Sequence, residues 1–232
     1  MKRFFFFLLL ITTSLSVFSK GYRITYKIYV NGTKNPYIET TILCDNYLKI
    51  SIDKNRFYLF LHNKGYIINL KKKTAIEYSF SKNIPFFSAF VSFYGISTND
   101  GSIVFPQLIF KKTRKIGRIN KIPCRKYELP GNYLNSKSVA WFAEKKLRYN
   151  GELFSRYLSF FTTSKLLLDQ AKKLNSFPLE IETTINNGIV STTNVRVLDK
   201  IEEISCNKKG IEFLKNLKIT KAKPSGLPAK DM

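Results

Sequence analysis

Between residues 21 and 80 the chain alternates apolar and polar positions with a period of two, broken by short polar joins, which is how consecutive antiparallel strands are written. Tyr22, Ile24, Tyr26, Ile28 and Val30 take one phase, and Arg23, Thr25, Lys27 and Tyr29 the other. Asn31-Gly32 follows as a hairpin-type turn, because both residues tolerate positive φ. The pattern predicts further strands over 37–43, 47–52, 56–61, 66–70 and 75–80, an antiparallel meander. Within 57–61 large apolar groups occupy both phases. Such a strand is either covered on each side or offers one face to a ligand.

The period changes between 84 and 96. Phe86, Phe87, Phe90, Phe93 and Tyr94 recur at the spacing of one helix face, with Pro85 near the start and Gly95 near the end. A second β section is expected over 103–110, 114–119, 123–129 and 138–143, with Pro106 and Pro123 confining their strands to an edge or a late start. A second helix is expected over 152–174. It carries Phe154, Tyr157, Leu158 and Phe161 on one face, and Lys165, Lys172 and Lys173 toward its C-terminal end, where cations complement the helix dipole. A hairpin over 179–184 and 189–198 turns at Asn186-Asn187-Gly188, and the segment from Lys221, with Pro224, Gly226 and Pro228, reads as loose. The fold class expected is mainly β (α+β): antiparallel strands with two helices.

The N-terminus adds a compartment. Met1-Lys2-Arg3, an apolar run from Phe4 to Ile11 and a small-residue stretch ending Ser16-Val17-Phe18-Ser19 have the form of a secretory leader cut after Ser19. The apolar run is shorter than the ~20 residues a spanning helix needs. No cysteine follows the cut to take a lipid, so the expected product is periplasmic or secreted and does not span a membrane. The expected division is a leader over 1–19, one domain over 20–220 and a basic tail over 221–232. Hydrophobic residues at 44% and aromatics at 15% supply a core and exclude a disordered chain.

The formal charge of +23 creates a field that favours anionic partners. Export argues against nucleic acid and for anionic envelope polymers, lipid headgroups or a membrane protein. Lys71-Lys72-Lys73 and the run Lys111, Lys112, Arg114 and Lys115 form an anion-binding patch if they lie side by side; otherwise they are solvated turns. Cys44, Cys124 and Cys206 show no metal-ligand spacing. One pair suits a disulfide in an oxidising compartment, and spacing does not choose which.

Catalytic signals are sparse. The single histidine, His62, precedes Asn63-Lys64-Gly65 at an expected hairpin tip, where a turn role outweighs one as base. Glu180 and Glu182 share a strand face, as paired catalytic carboxylates do, but adjacent surface carboxylates have the same spacing. Glu202-Glu203 reads as a solvated turn. No phosphate-binding glycine loop or nucleophile elbow is present. No catalytic residue, metal or cofactor is expected.

The stretch from Lys115 to Leu129, with Ile119 and Cys124-Arg125-Lys126-Tyr127-Glu128, resembles the "I-x-G-x-x-C-x-K-Y-E" segment of the exported bacterial proteins grouped as DUF4412. Val139-Ala140-Trp141-Phe142, Phe177-Pro178-Leu179-Glu180 and residues 191–197 fall where that family has a strand, a post-helix turn and a final hairpin. Lys121 stands where the family tends to have Gly. The order of elements also resembles the periplasmic lipoprotein-carrier fold of the LolA and LolB type. That resemblance implies an antiparallel half-barrel with helices on its concave face, and a non-catalytic binder or carrier of a lipid, lipoprotein acyl chain or other amphiphile. Its cavity would lie between the sheet and the two aromatic-faced helices.

Overall fold

A computed structural model describes residues 18–51, 53–61, 64–79, 97–99, 102–104, 110–129, 137–161, 165–186, 191–207 and 211–221. Six strands follow the first alternating section: β1 (Phe18–Val30), β2 (Tyr37–Leu43), β3 (Leu48–Ser51), β4 (Arg56–Leu61), β5 (Lys64–Asn69) and β6 (Thr74–Ser79). They run as the expected antiparallel meander. A separate short hairpin, β7 (Ser97–Asn99) with β8 (Ser102–Val104), precedes β9 (Lys111–Ile119), β10 (Ile122–Leu129) and β11 (Lys137–Ala143). Two helices, α1 (Gly151–Leu158) and α2 (Lys165–Lys172), lead to β12 (Glu180–Asn186), β13 (Ser191–Asn207), a 3-10 helix (Glu212–Asn216) and β14 (Lys218–Lys221).

Twelve strands form one sheet in the order β14-β6-β5-β4-β3-β2-β1-β13-β12-β11-β10-β9. Every pairing in it is antiparallel except the parallel contact of β14 with β6. The first meander thus builds one arm, the later strands build the other, and the long β1–β13 ladder joins them.

The sheet curls into a half-barrel, and α1 shows by how much. Phe161, just past the C-terminal end of α1, meets Phe60 of β4 at 5.0 Å between ring centroids. Phe154 on α1 meets Phe110, next to β9, at 6.0 Å. In a flat sheet β4 and β9 would stand eight strand spacings, roughly 38 Å, apart. A helix of eight residues is about 12 Å long. Only a curved sheet lets one short helix touch both arms.

The concave core gathers Ile24 and Ile28 of β1, Leu43, Leu48 and Ile50, Phe60, and Phe142 of β11 around the helix pair. The first phase of the β1 alternation is therefore the inward one. The double apolar character of 57–61 is resolved as cover on both sides. Tyr58 and Phe60 belong to the concave core, whereas Phe57 and Leu59 join a second cluster on the convex face with Phe213, Leu214 and Leu217 of the C-terminal segment. Phe57 and Phe213 stack edge to face at 5.8 Å.

Several expectations change. The single helix over 152–174 is two helices folded against each other. Asn150 caps α1 by accepting from the Glu152 amide, and Ser159 ends it, its hydroxyl donating to the Arg156 carbonyl at 2.7 Å. The chain then returns so that the Gly151 amide donates to the Leu174 carbonyl at 2.9 Å. A Cβ on Gly151 would overlap the carbonyls of Ala171, Lys172 and Leu174, so glycine permits this approach. The last strand runs far past 198. Glu202-Glu203 is no turn, because Glu202 pairs with Arg23 and Glu203 with Tyr22 in the ladder, and Glu203 holds ion pairs with Lys20 at 3.0 Å and Arg148 at 2.7 Å. Lys64 and Gly65 are strand residues paired with Leu61 and Phe60 rather than turn residues. Strand β14 adds an element that the sequence pattern does not announce, and Lys221 is its last residue rather than the start of a loose tail.

Cys44 and Cys206 form the disulfide, and Cys124 is a buried free thiol. Gly21 lies beneath the bridge, where a Cβ would overlap Cys206 Sγ. The ladder includes Phe18 opposite Asn207 and Ser19 opposite Cys206, so β1 begins inside the expected leader. The rest of that leader, the helix over 84–96, His62 and the residues from 222 onward lie outside the described residues.

Candidate functional site

The concave face divides along the strand direction into an aromatic half and a polar half. At the end bearing the β2–β3 and β9–β10 turns, α1 and α2 lie on the sheet. Phe154 sits among Phe142 at 5.7 Å, Phe177 at 5.4 Å and Tyr157 at 6.4 Å between centroids. Tyr157 in turn meets Phe161 at 5.3 Å and Phe177 at 5.6 Å. Offset and edge-to-face contacts of this kind add to burial, each by about 0.5–1.5 kcal/mol. Phe154, Tyr157, Leu158 and Phe161, the candidate apolar contacts on the second helix, are thus brought together and buried in this cluster. Their proposed counterparts Phe86, Phe87, Phe90, Phe93 and Tyr94 lie outside the described residues.

At the opposite end the inward positions carry charge and hydroxyls. Register places Glu39 of β2 opposite Tyr26 of β1, and Ile28 of β1 between Tyr37 and Arg196 of β13. Arg196 Nη1 donates to Glu39 Oε1 at 3.1 Å across β1, with the two side chains only 14% and 11% exposed. Farther along, Thr183 of β12 stands between Asn194 and Ser138, and the Ser138 and Thr183 hydroxyls share a hydrogen bond of 3.2 Å. Both are fully buried. Tyr58 faces the same side from β4.

Burial raises the Glu39 carboxyl above its ordinary range, and the Arg196 guanidinium pulls it part of the way back. Burial is also the leading cause of the raised Tyr58 and Tyr37 phenols. The Tyr26 phenol is pushed up well beyond its ordinary value by burial first and by Tyr157 second. Its hydroxyl donates to the Pro178 carbonyl at 3.0 Å, tying β1 to the start of β12 at the boundary between the halves. The concave face thus has an ion-paired, hydroxyl-bearing half at one end and an apolar, aromatic half at the other.

The basic runs are not neighbours in the sheet. Lys71-Lys72-Lys73 form the β5–β6 turn beside edge strand β14, while Lys111, Lys112, Arg114 and Lys115 lie along β9, the opposite edge. Apart from half-buried Thr113 they are exposed there, and lysine on an edge strand deters pairing with another chain. Glu180 and Glu182 pair with Val197 and Val195 on the convex phase, away from the polar half. Burial raises the Glu180 carboxyl, with the Glu182 charge the next cause.

The Glu39–Arg196 pair escapes sequence reasoning. The two residues are 157 positions apart. The available signal is phase: Glu39 shares its strand face with Tyr37, Thr41 and Leu43, and Arg196 shares its face with Leu198, which lies opposite Tyr26.

No protein-family model and no curated protein matches the chain. Among solved structures it is similar to PNGF-II, with 12% identity and a TM-score of 0.43. That match covers 88% of this chain and 31% of the other, so the chain spans about a third of that protein's length. It is similar to an uncharacterised conserved protein from Thermus thermophilus over 93% of this chain and 96% of that one, with 5% identity and a TM-score of 0.47. A domain from Vibrio parahaemolyticus, provisionally described as an outer membrane lipoprotein-sorting protein, is similar over 84% of this chain and 90% of its own, with 10% identity and a TM-score of 0.32. These likenesses are too distant to carry functional argument, and the fold rests on the sheet's own geometry. No helix among the described residues is long and apolar enough to cross a membrane.

Proposed function

We propose that the protein is a non-catalytic binding or carrier protein for a lipid, a lipoprotein acyl chain or another amphiphile, acting outside the cytoplasm. One observation carries this reading: the concave face of the half-barrel is itself amphiphilic, with the Phe142–Phe154–Tyr157–Phe161 cluster at one end and the Glu39–Arg196 pair with its tyrosines and hydroxyls at the other. A wholly apolar core would give no reason to keep an ion pair inside, since replacing such a pair by well-packed apolar groups is often neutral or stabilising. An amphiphile requires both environments within one molecule's length. The leader-like N-terminus supports the compartment.

Native mass spectrometry of the purified protein, with solvent extraction and lipid analysis, tests the proposal. The expected result is a co-purifying or readily loaded amphiphile of low stoichiometry. A protein that carries none and binds neither fatty acid, phospholipid nor diacylated peptide is the result that sinks it.

A further inference from the structure

In a meander, alternate turns lie at alternate ends of the sheet. The β1–β2, β3–β4 and β5–β6 turns therefore share one end of the half-barrel, and it is the end bearing the Glu39–Arg196 pair rather than the helices. Six large apolar side chains stand exposed among the described residues, and four of them lie at or beside this end: Tyr37, Ile38, Leu70 and Ile219. Tyr37 and Ile38 open β2 and Leu70 opens the β5–β6 turn. Ile219 pairs with Ala75 one residue beyond Thr74, where the Lys218 amide donates to the Lys73 carbonyl at 3.0 Å.

Cations surround these groups. Lys34 lies in the first turn, Lys54 in the second and Lys71, Lys72 and Lys73 in the third, with Lys218 beside it, and all six are exposed. The one acidic group described in these three turns, Asp53, is engaged by Arg56 at 2.7 Å. Along the β1–β13 ladder, by contrast, Lys20, Lys27 and Lys200 each face a carboxylate within 3.2 Å.

We propose that this end of the half-barrel docks on an anionic lipid bilayer, the lysines meeting headgroup phosphates while Leu70, Tyr37, Ile38 and Ile219 enter the interfacial layer. Exposed apolar side chains ringed by lysine, with the single carboxylate neutralised, complement a surface that is negative outside and apolar a few ångströms below. A soluble acidic polymer would satisfy the lysines and leave the apolar groups in water. The proposal rests on the surface, so it stands or falls separately from the reading of the interior.

Flotation of the purified protein with phosphatidylcholine vesicles, with and without phosphatidylglycerol, tests it. Binding is expected only with phosphatidylglycerol and is expected to weaken as salt rises. The variant Lys71→Gln/Lys72→Gln/Lys73→Asn, with Asn chosen because residue 73 has φ of 52°, should lower the partition coefficient roughly a hundredfold. Leu70→Ser should weaken binding by several-fold in a way that salt does not mimic. Lys111→Gln/Lys112→Gln/Lys115→Gln at the far edge should change it less than tenfold. Equal losses from the two triple variants, equal binding to uncharged vesicles, no vesicle binding, or capture by an acidic protein but not by vesicles would each overturn the proposal. Retention of an amphiphile in native mass spectrometry is expected to be the same in all these variants, which separates failure here from failure of the carrier reading.

Discussion

Replacing Arg196 by methionine removes the guanidinium and leaves the Glu39 carboxylate in place. At 3.1 Å and an effective dielectric of about 20, the lost attraction is about 5 kcal/mol, part of which is returned because a buried cation no longer needs to be desolvated. The expected net loss at neutral pH is about 3–5 kcal/mol, as for other broken buried pairs. For a domain whose total stability is about 5–15 kcal/mol, that lowers the melting temperature by roughly 10 °C. The sign of the pH dependence isolates the cause. Burial already raises the Glu39 carboxyl, and the Arg196 charge is what pulls it back. The penalty in its absence is therefore full above the raised folded value and is relieved as pH falls toward the ordinary carboxylate value of about 4.3. Guanidinium titrations of R196M and the parent protein, run from neutral to mildly acidic pH, should show the gap narrowing. Adding Glu39→Met to R196M should recover at least half of the neutral-pH loss. A gap that keeps its size across that range, or a loss below about 1 kcal/mol, would refute an ion pair held in a desolvated interior.

Three other outcomes follow from local geometry. The Cys44–Cys206 bridge spans 162 residues, for which loop-closure entropy gives about 5 kcal/mol, so C44S/C206S should lose most of that in denaturant titration, and a loss under about 1 kcal/mol would show that the bridge does not constrain the unfolded chain. Gly151→Ala should destabilise by about 1–3 kcal/mol despite alanine's better helix propensity, because its Cβ meets the end of α2; a stabilised variant would contradict that close approach. Lys121 holds φ of 68° next to Asn120 at 49°, so Lys121→Gly should stabilise by about 0.5–1 kcal/mol in a thermal melt, and an unchanged or lowered midpoint would count against a left-handed lysine.

Most strands of the first arm are legible because they are short, alternate apolar with polar positions and are bounded by polar residues in the sequence; β4, apolar in both phases, is legible from those bounding residues alone. The far half of β13 is not, because Asp199, Lys200, Glu202 and Glu203 look like a solvated loop until Lys27, Arg23 and Lys20 on β1 are seen opposite them. The helix pair reads as one helix because the apolar spacing continues through Phe160 and Phe161. What interrupts it is the Ser159 cap and the close approach of Gly151 to the carbonyls at the end of α2, a tertiary contact that periodicity does not encode. The convex cover by Phe213, Leu214 and Leu217 is hidden for a related reason: a 3-10 helix of five residues carries too short a pattern to register. The aromatic half of the site follows from helical spacing. The polar half requires knowing that β2 and β13 flank β1, and that knowledge comes only with the fold.

The ladder between β1 and β13 also sets an order in time. Each arm consists mostly of neighbouring strands joined by short turns and can form from contacts close in sequence, whereas the seam joins Phe18 to Asn207 and Val30 to Asn194. Among the described pairings, closing that seam carries the largest loop entropy, the kind of contact that slows folding. Until it closes, β1 and β13 are two long, unpaired edges of separate half-sheets, each able to pair with another chain. The bridge between Cys44 and Cys206 sits at one end of this seam, so oxidation locks the two arms after they meet and removes the aggregation-prone species from the equilibrium.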